Sequence, residues 1–129
     1  MKAILFVDDH EMLAQLSCEI LNMQGYRAVP AFSAAEALEK FSQGKFDILV
    51  TDWKMDGMDG LELSRKIRSA SPQTPVILVT GFGPVDADHA DCADVCLSKD
   101  RLFPTLLETI KALLDGDKIS EPAGAETQA

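Results

Sequence analysis

Apolar positions along the chain alternate between short solid runs and longer stretches with helical spacing. The run AILFV (Ala3–Val7) has strand length and no polar interruption. Residues 11–23 then place Met12, Leu13, Leu16, Ile20 and Met23 at helical spacing, which predicts an amphipathic helix carrying its apolar stripe on those residues. Gly25 stops that helix, as a residue in left-handed conformation does at a helix C-terminus. Residues 26–32, YRAVPAF, form a weaker strand, and Pro30 assigns it to an edge, where a missing N–H costs least.

Ser33 opens SAAE, a capping box with Glu36. The helix it starts runs to about residue 43, with Ala37, Leu38 and Phe41 inward, and Gly44 ends it. FDILVT (46–51) is a third strand. Residues 61–70 form a third helix with Leu61, Leu63, Ile67 and Ala70 near one face and Pro72 beyond its end. PVILVT (75–80) is a fourth strand. Residues 81–93 are acidic and poor in core residues, so a helix there is short or irregular, and VCL (95–97) supplies a fifth strand. Pro104 suits the first turn of a last helix that runs to about residue 114 and can bury Leu106, Leu107, Ile110, Leu113 and Leu114.

Strands alternating with helices imply parallel pairing through right-handed crossovers. A parallel sheet covered on both faces also explains strands that are apolar throughout. The chain is therefore expected to be one α/β domain over residues 1–116, followed by a disordered tail over 117–129 that lacks large apolar residues after Ile119.

The formal net charge of -9 repels phosphate backbones and argues against nucleic-acid binding, while suiting a divalent cation or a basic partner surface. No apolar run has the ~18–20 residues that span a bilayer, and the N-terminus is too short in apolar residues for a signal peptide. A cytoplasmic location follows as the expectation. Cys18, Cys92 and Cys96 have no framework spacing and read as reduced thiols.

In open α/β sheets the chemistry lies beyond the carboxyl ends of the strands. The first strand ends in Asp8-Asp9, the third in Asp52 and the fourth in Thr80, and Lys99 follows the fifth. Clustered carboxylates repel one another unless a cation joins them. Three hard oxygen donors with few enclosing groups suit Mg²⁺. A carboxylate beside that ion can attack phosphorus. Lys99 would neutralise phosphoryl charge, and Thr80 would donate to a phosphoryl oxygen.

These residues, in this order at these strand ends, resemble the receiver domain of bacterial two-component response regulators, of the chemotaxis response regulator kind. The similarity covers roughly residues 2–115, and DWKMDGMDGLEL (52–63) is similar to the family's phosphoacceptor loop. The resemblance implies a flavodoxin-like, doubly wound sheet of five parallel strands in the order 2-1-3-4-5, flanked by helices on both faces. It implies phosphotransfer to Asp52 from a histidine kinase or phosphotransfer protein, with Mg²⁺. Asp9 and Asp52 would ligate the metal directly, Asp8 mainly through water, and the Lys54 backbone carbonyl would complete the protein ligands. Asp52, Thr80 and Lys99 would carry the chemistry, and phosphorylation would draw Thr80 inward to shift a two-state surface. Such a domain catalyses its own phosphorylation and dephosphorylation only, and signals to a downstream protein by contact, either standing alone or as part of a hybrid kinase.

The sequence departs from the family in four places. Lys99 is followed by Asp100 where the family has proline, and the position of its switch aromatic is Cys96. The stretch between Thr80 and Lys99 is short. Lys54 stands two residues after Asp52, where its side chain can reach a phosphoryl group, compete with metal or obstruct attacking water. The altered Lys99-Asp100 and Cys96 positions favour the alternative of a degenerate receiver acting as a phosphorylation-independent interaction module; the complete set of Asp8, Asp9, Asp52, Thr80 and Lys99 opposes it. An Mg²⁺-dependent hydrolase with an aspartyl nucleophile lacks its second acid-base carboxylate, because Lys54 occupies that place.

Two other patterns are weaker. TDWKMDGMDG (51–60) imitates a calcium loop from Asp52, but Lys54 at the third position and Leu63 at the twelfth remove two ligands. Asp56 and Asp59 then shape the turn. Residues 86–96 hold His89, Cys92 and Cys96 without zinc-site spacing and read as an acidic loop. His10 is expected to face solvent, and Trp53 to sit at the rim of the site.

Overall fold

In the computed structural model the described residues are 1–55, 57, 59–80, 94–98 and 102–115. The elements follow in the order β1 (Ala3–Val7), α1 (Glu11–Met23), β2 (Arg27–Ala31), α2 (Ala34–Gln43), β3 (Ile48–Asp52), α3 (Gly60–Ala70), β4 (Val76–Thr80), β5 (Val95–Ser98) and α4 (Leu102–Asp115). All strand pairs are parallel and the sheet order is β2-β1-β3-β4-β5. The doubly wound sheet expected from the sequence is the observed one. Four helices are present among the described residues. The short helix expected within 81–93 and the tail over 117–129 both lie outside them, as do His89 and Cys92.

Side chains alternate along each strand, so the sheet builds two cores. Leu5, Val7, Leu49 and Leu78 face one way and pack with Ala34, Ala37, Leu61 and Ile67 of α2 and α3. Ile4, Phe6, Ile48, Val50 and Ile77 face the other way and pack with Ala14, Cys18 and Leu21 of α1 and with Leu106 and Ile110 of α4. β1, β3 and β4 are buried at every residue, as central strands covered on both faces must be. β2 is an edge strand, so Pro30 sits where its missing N–H is tolerated. No helix among the described residues is long and apolar enough to cross a membrane.

The termini of the elements follow local chemistry. Gly25 adopts φ 98° after α1, as expected of a glycine at that place. Ser33 caps α2 by accepting from the Glu36 N–H at 3.1 Å, and Glu36 Oε1 accepts from the Phe32 N–H at 2.8 Å, one residue earlier than the usual reciprocal box. Asp59 caps α3 by accepting from the Glu62 N–H at 2.9 Å. Phe103 has extended backbone angles, so the regular part of α4 starts at Pro104.

Two expectations need correction. α1 does not bury Met12, Leu16, Ile20 and Met23: these are 66%, 50%, 37% and 82% exposed, and Ala14, Ser17, Cys18 and Leu21 are buried instead. Three of these four buried residues are small, and Leu21 is fully buried beside them. Ala70 is exposed, and Ser64 takes the inward place on α3, its hydroxyl donating to the Gly60 carbonyl at 2.7 Å.

Candidate functional site

Because β1 lies between β2 and β3, the connections leaving the carboxyl ends of β1 and β3 run to opposite sides. This is the topological switch point, where an open α/β sheet leaves a crevice. Asp8 and Asp9 follow β1 directly, and Asp52 is the last residue of the neighbouring β3. One carboxylate oxygen from each of Asp8, Asp9 and Asp52 lies within 4.8 Å of the other two. Asp8 and Asp52 are buried, and Asp9 is exposed. Thr80, the last residue of β4, is buried next along the sheet and in register with Ser98 of β5. Lys99 and Asp100, the remaining expected site positions, lie outside the described residues.

The backbone fixes these carboxylates. The Asp8 N–H donates to the Ala31 carbonyl at 3.0 Å, extending the β1–β2 pairing by one residue. Asp8 Oδ1 accepts from the His10 N–H at 2.9 Å, while His10 Nδ1 caps α1 by accepting from the Leu13 N–H at 3.3 Å. The Trp53 N–H donates to the Val79 carbonyl at 2.9 Å, so the β3–β4 ladder continues past Asp52. The Gly60 N–H then donates to the Trp53 carbonyl at 2.7 Å and closes the loop back onto the strand end. A Cβ at Gly60 would lie 2.0 Å from the Asp52 carbonyl oxygen, so only glycine admits this approach. Met55 is buried and anchors the loop in the core shared with α2 and α3.

The sequence profile of the response regulator receiver domain matches residues 4–111. The chain belongs to this family. Receiver CpdR of Brucella abortus is 31% identical over 118 residues, covering 88% of this chain and 98% of that protein. The transcriptional regulatory protein GlrR of Escherichia coli is 38% identical over 82 residues, 64% of this chain. The chain spans 18% of the length of GlrR and 29% of that of the transcriptional regulatory protein ZraR of Klebsiella oxytoca. Among solved structures, the Thermotoga maritima response regulator TrrA in complex with Mg²⁺-BeF superposes with a TM-score of 0.83 at 36% identity, covering 88% of this chain and 100% of that one. TrrA in complex with the histidine kinase ThkA superposes at 0.81 and 35% identity, covering 88% and 99%.

The donor set of the receiver fits a metal ion. Three carboxylates, two of them buried, converge at one crevice, and all three offer the hard oxygens that divalent cations of the Mg²⁺ type prefer. Asp8 Oδ1 accepts from the His10 N–H, which fixes the orientation of that carboxylate at the crevice.

The side chain of Lys54 is exposed, and its ammonium lies 4.8 Å from the centre of the Trp53 ring. Trp53 is half-buried at the rim, as expected, and packs against the core shared with α2 and α3. Cys96, at the position of the family's switch aromatic, is an exposed residue of β5.

Sequence reasoning missed three contributors. His10 caps α1 and grips Asp8, and its place one residue before the helical pattern was the available signal. Gly60 leaves no such signal, because a clash with a carbonyl eight residues away in the loop makes no mark on the sequence. Met55 looks like a loop methionine until α2 and α3 are placed around it.

Proposed function

We propose that this receiver accepts a phosphoryl group on Asp52 in a two-component phosphorelay and signals by protein–protein contact. The observation that carries the reading is the convergence of Asp8, Asp9 and Asp52 at the β1/β3 switch point with Thr80 beside them. In the transfer, an Asp52 carboxylate oxygen attacks the phosphorus of a phosphohistidine. The P–N bond breaks, and the imidazole nitrogen leaves with the electron pair and takes a proton from solvent. Mg²⁺, when bound, screens the charge between carboxylate and phosphoryl oxygens. Asp9, Asp52 and the Lys54 carbonyl would hold it directly, with Asp8 acting through water. Thr80, buried at the end of β4, would donate a hydroxyl hydrogen bond to a phosphoryl oxygen, and Lys99 is assigned the neutralising charge from its sequence position.

The phosphodonor is proposed to be a histidine kinase, the class of partner seen in the TrrA complex. Its docking face is the exposed apolar stripe of α1, which begins two residues beyond the acidic pair. Met12, Leu16, Ile20 and Met23 would take the apolar face of a partner helix, and Glu11 and Glu19 beside them favour basic flanks.

Intact-mass measurement after incubation with Mg²⁺ and acetyl phosphate tests the assignment. One phosphoryl increment is expected, absent in Asp52→Asn and absent with a chelator. An increment that persists in Asp52→Asn would refute the site. No increment in the wild type would favour the phosphorylation-independent interaction module, the reading that exposed, non-aromatic Cys96 supports. Turnover of a phosphomonoester would instead favour a hydrolase.

A further inference from the structure

β5 stands at an edge of the sheet and is weakly specified by its own residues. It has four residues, of which Val95 and Leu97 are half-buried while Cys96 and Ser98 are exposed. Side chains alternate along a strand, so a slip of one residue would turn Val95 and Leu97 outward. A slip of two would keep the same faces inward, and the apolar pattern opposes it little. The register nevertheless matters to the phosphoacceptor reading, on which this inference rests. Ser98 is paired with Thr80, and Lys99 follows Ser98 in the sequence.

The contacts that discriminate one register from another lie at the amino end of β5. Asp94 grips Val76, the first residue of β4, by both of its backbone groups. The Asp94 N–H donates to the Val76 carbonyl at 2.8 Å, and Asp94 Oδ2 accepts from the Val76 N–H at 2.7 Å. The same oxygen accepts a charge-assisted bond from the Arg68 guanidinium. Arg68, in the last turn of α3, is itself held, its Nε donating to the Thr74 carbonyl at 3.3 Å. Thr74 is buried, its N–H donates to the Ser71 carbonyl at 3.1 Å, and the two hydroxyls lie 2.7 Å apart.

A slip by one or two residues would bring Cys92, Ala93, Val95 or Cys96 to the place of Asp94, and none of these offers a carboxylate. The side chains of Arg68 and Asp94 are 27% and 37% exposed, so the pair adds little to stability. Its consequence is geometric. The other end of α3 carries Gly60, whose N–H closes the loop that follows Asp52. One helix therefore joins the start of β5 to the phosphoacceptor loop.

We infer that Asp94 and Arg68 are positioning residues for phosphotransfer: they pin β5 in the register that sets Ser98 beside Thr80, and so fix the strand end from which Lys99 continues.

Labelling of the full chain by acetyl phosphate tests this, with Mg²⁺ affinity from titration calorimetry and Thr80–Ser98 cross-strand NOEs measured beside it. Asp94→Ala removes the carboxylate. Its phosphorylation rate at saturating Mg²⁺ is expected to fall roughly three- to ten-fold, since a misplacement of about 1 Å can cost about 10²-fold. The Thr80–Ser98 NOEs should weaken with it. Mg²⁺ affinity should not change, because Asp8, Asp9 and Asp52 are carried by β1 and β3. Asp94→Asn keeps an acceptor for the Val76 N–H and should restore the NOEs and most of the rate. An unchanged rate or unchanged NOEs in Asp94→Ala, or an equal loss of Mg²⁺ affinity, would overturn the inference and leave Asp52 phosphorylation standing. A wild-type chain that takes up no phosphoryl group would overturn the phosphoacceptor reading and this inference with it. Should Asp94→Ala not fold, Arg68→Met decides, since it removes the guanidinium and spares the bonds between Asp94 and Val76. A partial loss of rate and of NOE intensity is expected there, and wild-type values for either would sink the proposal.

Discussion

Gly60 shows how a single residue without a side chain positions the proposed phosphoacceptor, Asp52. Its N–H bonds to the Trp53 carbonyl at 2.7 Å, and an added Cβ would meet the Asp52 carbonyl oxygen at 2.0 Å and Thr51 Oγ1 at 3.1 Å. The obstructing atoms at Asp52 are backbone and cannot rotate away. Gly60→Ala is therefore expected to cost at least the upper part of the about 1–3 kcal/mol typical of overpacking. It should also displace Asp52, lowering the rate of phosphorylation by acetyl phosphate as well as the urea midpoint. Equal stability and rate in the variant would show that the loop relaxes at no cost. Asp8 is held by comparable means, through the His10 N–H. The acidic pair and Asp52 were legible in the sequence because a carboxylate at a strand end is a property of local order. Gly60 was not, because its obligation arises from the return of the loop.

At the scale of the element, α2 is pinned to the end of β2 by an ionic clamp. Glu36 accepts from the Phe32 N–H, Lys40 lies 3.1 Å from Glu36, and Lys40 Nζ donates to the Pro30 carbonyl at 2.6 Å. The Phe32 N–H bond chiefly, with Lys40 adding to it against the cost of partial burial, holds the Glu36 carboxyl below its ordinary value of 4.5. A lowered folded value means that the stabilisation is present above 4.5 and is lost as pH falls through the lower folded value. Both side chains are about one third exposed, so the contribution is screened by solvent and stays under about 1 kcal/mol. Glu36→Gln keeps an acceptor for the Phe32 N–H but not the charge. Its urea midpoint should fall below the wild type's at pH 7 and converge with it at pH 3. A gap of the same size at both values would assign the effect to packing. The capping box was readable from SAAE; the partner of Glu36 shifted by one residue because the edge strand brings the Phe32 N–H within reach.

The whole molecule decides what α1 does. Its sequence offers two stripes, one of large apolar residues at Met12, Leu16, Ile20 and Met23 and one at Ala14, Ser17, Cys18 and Leu21 in which only Leu21 is large. The sheet takes the second. Leu21→Ala should therefore open a cavity and cost about 2–5 kcal/mol, while Leu16→Ala should stay within about 0.5 kcal/mol. Denaturant unfolding of the two variants checks the assignment, and a larger loss at Leu16 would reverse it. The exposed stripe, left over from the fold, is the surface assigned above to the kinase.

The sequence by itself determined the alternation of strands and helices, the two-faced burial of β1, β3 and β4, and the acidic residues at the strand ends. Each of these is written in local periodicity or in order along the chain. Tertiary structure alone decided which face of α1 is buried. Hydrophobic size and spacing point to the large stripe, but which of two stripes turns inward depends on how the helix is set against β1 and its neighbours, which periodicity along the chain does not specify. It also decided that the Lys54 ammonium lies 4.8 Å from the centre of the Trp53 ring, because side-chain placement in a loop depends on packing that order along the chain does not specify.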